Sequence, residues 1–138
     1  MITVTYDPSA YDLRIQGHAG YAGHGHDIVC AAASVLTQTL ARCVADHALG
    51  LAAPPEIETA DGMLVRCTPR PEYKDALSEL YWFAVCGLDM LAEHYPECIA
   101  VNPKTRLARF EDPGGVISDP HPHTNFTERR KKDGYGND

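Results

Sequence analysis

Basic charge is scarce in this 138-residue chain: Lys+Arg number 12 against 19 Asp+Glu, a formal net charge of -7 with histidine neutral. A protein that binds nucleic acid by neutralising phosphates carries the opposite balance, so no direct nucleic-acid partner is expected. Long apolar runs are missing as well. The longest near-continuous one, Leu80 to Leu88, is far too short to span a bilayer. The opening residues, MITVTYDPSA, have neither the basic nor the apolar region of a secretory signal, so the expected location is the cytoplasm, with no membrane partner. Close cysteine pairs are also absent. Cys30, Cys43, Cys67, Cys86 and Cys98 are odd in number and scattered, which argues against a disulfide framework. No repeat of solenoid length is present.

What remains is ordinary globular composition, 44% hydrophobic and 22% charged, enough for one packed core. The charge is uneven. Residues 1–103 hold five basic and thirteen acidic side chains, whereas residues 104–138 hold seven and six. That last segment is rich in Pro and Gly and poor in large apolar residues, too little to offset the entropy of ordering it. It reads as a disordered tail behind a folded unit of residues 1–103.

Within that unit, Ile2 to Tyr6 alternates apolar and polar residues as a half-buried strand does. Asp7-Pro8-Ser9 is turn chemistry, and Leu13 and Ile15 continue a hairpin. Gly17 to His26 then packs four glycines and three histidines into ten residues and suits neither helix nor strand. Asp27 is a good N-cap for a helix running to about His47, with Val29, Ala33, Leu36, Leu40, Val44 and His47 at helical spacing and Gly50 as its end. A second hairpin follows, turning at Asp61-Gly62. A helix from about Glu72 to His94 comes next, and Ile99 and Val101 form a short last strand. The order ββ-α-ββ-α-β predicts an α+β domain, with a mainly antiparallel sheet and two helices packed on one face. Trp82 and Phe83 lie off the second helix's apolar stripe, Leu77 to Leu91. They suit either a homodimer surface or the edge of the monomer core.

The stretch GHAGYAGHGHDIVCAAASVL, Gly17 to Leu36, carries the chemistry. With Asp27 as N-cap, Cys30 falls in the first helical turn. Unpaired backbone N–H groups and the positive helix terminus there favour a thiolate and can receive an oxyanion. The other four cysteines fall inside helices or beside strands. A thiolate nucleophile needs a proton-transfer partner, and imidazole is the usual one near neutral pH. His18, at the end of a strand, is better fixed than His24 and His26 in the glycine-rich loop. Asp27 and Ser34 are candidate supporting residues, each with an ordinary structural explanation. Gly20, Gly23 and Gly25 give the loop the freedom of a lid over an extended peptide. The loop lacks a Lys-Ser/Thr after its last glycine, which argues against phosphate binding. The competing chemistry is zinc held by His18, His24, His26 and Cys30. Structural zinc sites draw ligand pairs from two separate places, and these residues come from one run, so no metal or other cofactor is expected.

Gly17-His18-Ala19, a short glycine-bearing loop, and then Asp27-Ile28-Val29-Cys30-Ala31-Ala32 followed by Ser34 resemble the signature of the ribosomal-processing cysteine proteases, the Prp family. The resemblance implies a homodimeric cysteine endopeptidase, with Cys30 as nucleophile and His18 as proton-transfer partner. Its substrate would be the N-terminal extension of a bacterial large-subunit ribosomal protein, or a related phage structural protein. It also implies a loop between the two residues that moves on substrate binding. A zinc-binding module, or a catalytically idle dimeric interaction module, is the alternative. The tail beyond residue 103 departs from the compact family length.

Overall fold

The computed structural model describes residues 1–17 and 24–102, with residues 24–27 described by backbone alone. Strand β1 (Ile2–Asp7) points Ile2, Val4 and Tyr6 inward, as its alternation predicts. It pairs antiparallel with β2 (Asp12–Gln16) in a register that sets Val4 against Ile15 and Tyr6 against Leu13. In the intervening turn the Asp7 carboxylate accepts hydrogen bonds from the Ser9 hydroxyl at 2.6 Å and the Ser9 N–H at 3.0 Å. The hydroxyl bond is the main reason that the Asp7 carboxyl lies below its ordinary value.

The chain continues through helix α1 (His24–Asp46), strands β3 (Glu56–Glu58) and β4 (Met63–Arg66), helix α2 (Lys74–His94) and strand β5 (Ile99–Val101). These strands form one sheet in the order β3-β4-β2-β1-β5. The α+β architecture and element order are those expected. The sheet, however, is mixed, because β5 runs parallel to β1. The cause is the crossover: α2 carries the chain back across the sheet from β4 and delivers β5 to the far edge pointing the same way.

Both helices cover the same face. Leu13, Ile15, Val65 and Ile99 join Val29, Ala33, Leu40 and Val44 of α1 and Leu77, Tyr81, Val85 and Leu88 of α2 in one core. Thr37 is buried among them with its hydroxyl donating to the Ala33 carbonyl at 2.6 Å, so its polar atom is satisfied. Tyr81 lies at the centre. Its hydroxyl donates to the Val65 carbonyl at 3.1 Å, and its ring stacks on Tyr6 and meets Tyr11 edge-on. The opposite face of the sheet is a charge ladder, with Asp12 held 3.0 Å from Arg14 and 3.6 Å from Arg66, which also pairs with Glu56.

Four expectations need correction. Helix α1 begins at His24 rather than after Asp27, so His24, Gly25 and His26 are helical and Asp27 is no N-cap. A helical glycine costs about 1 kcal/mol, but extending a formed helix by one turn carries no nucleation cost. Gly50 does not cap α1 directly. It ends a separate 3-10 turn, Ala48–Gly50, and is buried where a Cβ would meet the Tyr73 ring at 2.6 Å. The β3–β4 connection is longer than the two residues Asp61-Gly62, because their ladder starts at Glu58 opposite Leu64. Finally, Ile28–Asp46 is long and apolar enough to cross a membrane by length and composition. A search for unbroken apolar runs passes over it because Ser, Thr, Gln and Arg interrupt it. Its apolar stripe is buried in the core, as in the core helix of a globular domain.

Candidate active site

A glycine-dependent turn precedes the segment that carries the chemistry. Strand β2 ends at Gln16, and Gly17 follows with φ 88°, a conformation that side-chain-bearing residues rarely adopt. A Cβ at Gly17 would also collide with the Met1 carbonyl oxygen. Gly17 therefore redirects the backbone immediately before His18. The Gly17→Ala variant is expected to lose about 1–2 kcal/mol from left-handed strain alone. The measurement is a thermal melt, paired with peptide cleavage to register displacement of the following residue.

Cys30 sits in the second turn of α1, half-buried, with its side chain packed at the margin of the core. Val29 before it is fully buried, whereas Ser34, one turn later on the same side of the helix, is exposed. That boundary position both holds the thiol and leaves it accessible. It also revises the electrostatic expectation. The four unpaired helix N–H groups belong to His24–Asp27, one turn before Cys30, and the field of a helix terminus falls off within that turn.

The five cysteines, none of them disulfide-bonded, separate by burial. Cys67 and Cys98 are buried. Burial pushes the Cys67 thiol up, against a smaller opposing effect of the Tyr81 hydroxyl 3.7 Å away. Burial raises the Tyr81 phenol too, so this pair stays protonated and is structural. Cys43 and Cys86 are half-buried like Cys30, but neither lies near the start of a helix.

His18, Gly20, Gly23 and the side chains of His24, His26 and Asp27 lie outside the described residues, as does the tail 104–138, whereas Gly25 lies on the backbone of α1. The pairing of Cys30 with His18 and the competing set of zinc ligands fall there too. The backbone of α1 still establishes one relation: His26 and Asp27 stand four and three positions before Cys30, spacings that share a helix face.

The structure also contains an apolar groove of about 520 Å³ between the helices, lined by Ala31, Ala32, Val35, Leu36, Gly87 and Met90 among others. Gly87 lets α2 approach α1, since a Cβ there would lie 2.8 Å from the Leu36 side chain. A glycine in the middle of a long apolar helix was the available signal for this close approach. A smaller polar hollow of about 150 Å³, at the end of β2, is lined by Arg14, Gln16, Glu58 and Asp61 among others.

The family model for cysteine protease Prp matches residues 1–100. The chain belongs to the Prp cysteine protease family. No curated protein matches it significantly. Among solved structures, the ribosomal processing protease Prp of S. aureus with a covalently linked product peptide is similar at 27% identity and TM-score 0.54, over 74% of this chain and 98% of that one. A protein of Streptococcus mutans is similar at 25% identity and TM-score 0.53, over 73% and 90%. The S. aureus Prp with a substrate peptide shares the fold at 23% identity and TM-score 0.55, over 73% and 95%. The Prp match ends within β5, so the segment from residue 104 onward lies beyond it.

Proposed function

We propose that this Prp-family chain is a cytoplasmic endopeptidase that removes the N-terminal extension of a bacterial large-subunit ribosomal protein, or of a related phage structural protein. Cys30 acts as nucleophile and His18 as proton-transfer partner. The observation that carries the reading is the position of Cys30, half-buried at the margin of the core and within the matched family segment. His18 accepts the thiol proton and the Cys30 sulfur attacks the scissile carbonyl carbon. The carbonyl pair moves onto oxygen, and the tetrahedral oxyanion collapses to the acyl-enzyme as the amine leaves. His18 protonates that amine as it departs and then draws a proton from water, whose attack releases the acyl group and restores the thiol. The test is cleavage of a peptide spanning the extension junction. Failure to cut it at the junction, by a folded preparation, overturns the substrate assignment.

The reading includes a homodimer. It is supported by the outer side of the helical layer, where Val35 is 63%, Phe83 75% and Met90 43% exposed. Such a concentration of apolar side chains is typical of an interaction surface. Trp82, by contrast, packs against the core and belongs to the monomer. Light scattering should give a dimer mass for the unmodified chain. Phe83→Glu together with Met90→Glu should weaken association by at least about tenfold, from the loss of two apolar anchors. A monomer mass for the unmodified chain would overturn this part.

A further inference from the structure

Asp61-Gly62 reads in the sequence as a two-residue hairpin turn, yet the β3–β4 ladder starts at Glu58 opposite Leu64, so such a turn does not account for Gly62. The glycine serves a close approach instead. Gly62 has φ 122°, a conformation that side-chain-bearing residues rarely adopt. A Cβ on it would collide with the Ile15 carbonyl oxygen, and would stand 3.1 Å from the Ile15 carbonyl carbon and 3.2 Å from the Gln16 Cα. Only a residue without a side chain lets the loop lie this close to β2.

The contact falls where β2 ends. Strand β4 pairs with β2 as far as Met63 opposite Ile15, and Gly62 continues the contact from that side. Strand β1 pairs one residue further, Thr3 opposite Gln16, and Gly17 then lies against the Met1 carbonyl. Two glycines thus close on the end of β2 from its two neighbouring strands, over Ile15 to Gly17. His18 is the next residue.

We propose that Gly62 is a positioning residue for His18. Its close fit against Ile15 and Gln16 fixes the direction in which β2 ends, and with it the point from which the imidazole reaches toward Cys30. An acid–base group loses its effect when displaced by about 1 Å, so the backbone that carries it must be held from both sides. The proposal rests on His18 as the proton-transfer partner, and it adds a residue that lies beyond α1 in the chain.

A double-mutant cycle tests it. Gly62→Ala pushes on Ile15 and Gln16 and should slow cleavage of the junction peptide by roughly tenfold to a hundredfold, in kcat more than in KM. In the His18→Ala background the same substitution should change the residual rate by less than about twofold, because no imidazole is left to misplace. Alkylation of Cys30 by iodoacetamide, followed by mass spectrometry of the peptide that contains it, repeats the cycle without a substrate, since thiolate formation also needs the proton acceptor. Cys43, half-buried in the same helix, is the internal control and should react alike in every variant. One glycine inserted between Ala60 and Asp61 loosens the contact without adding a Cβ and should show the same dependence on His18. It replaces Gly62→Ala if circular dichroism shows that chain to be unfolded. Equal losses in both backgrounds, or no loss in either, overturn the proposal and leave His18 as the base. If His18→Ala alone changes neither rate, the base assignment fails, and the role of Gly62 fails with it.

Discussion

Cys30→Ala is expected to reduce cleavage of the junction peptide by on the order of 10⁴-fold or more, the scale seen when a covalent nucleophile is removed. The variant should melt at nearly the same temperature, because Cys30 is only half-buried and loses little packing on truncation. Cys30→Ser should also be severely impaired, since a hydroxyl in the same place is far less readily ionised than a thiol. Steady-state hydrolysis with the junction peptide checks both. Activity persisting in the alanine variant would remove the nucleophile assignment. Cys43 and Cys86, the other half-buried thiols, serve as controls whose alanine variants should retain cleavage.

His18→Ala should lower kcat/KM by roughly 10²- to 10⁴-fold, the usual contribution of a positioned acid–base group. The structure sharpens this experiment. His24 and His26 stand on the backbone of α1 rather than in a loop, and His26 precedes Cys30 by four residues, the spacing of neighbours on one helix face. The case against His26 as base therefore cannot rest on a loosely held loop. It rests instead on the anchored strand before His18. There, pairing of β1 with β2 and the close fit of Gly17 under Met1 define where the chain enters the site. The expected order of effects is a large loss at His18 and small ones at His24 and His26. The reverse order at His26 would move the base onto the helix. A pH–rate profile for each variant separates loss of a titrating base from loss of structure, because only the former removes a limb of the profile.

The legible parts of this chain were those governed by local chemistry. The alternation in Ile2–Asp7, the turn at Asp7–Ser9 and the apolar stripe Leu77–Leu88 appear in the structure at nearly the expected positions. The start of α1 was misread for a physical reason. Glycine and an attractive capping residue at Asp27 argue locally for a boundary, yet a 23-residue helix already anchored by Val29 and Ala33 absorbs a glycine in its first turn. That one-turn difference displaced Cys30 from the helix terminus and changed what its surroundings supply.

Sequence alone determined the element order, the inward faces of the strands and the candidate residues Cys30 and His18, because each follows from periodicity or from side-chain chemistry within a few residues. Other properties depended on tertiary structure. The parallel pairing of β5 with β1, the burial that withdraws Cys67 and Cys98 from chemistry, and the groove opened where Gly87 meets Leu36 each need residues far apart in the chain to meet. The same holds for the scarcity of basic charge. As a count it argued against a nucleic-acid binder that works by neutralising phosphates. Only the fold showed that Arg14, Arg42, Arg66 and Arg70 are tied to Asp12, Asp46, Glu56 and the Leu51 carbonyl. Charge is fixed by composition, but its partners are chosen by packing, since an ion pair forms only where the backbone brings the two groups within reach.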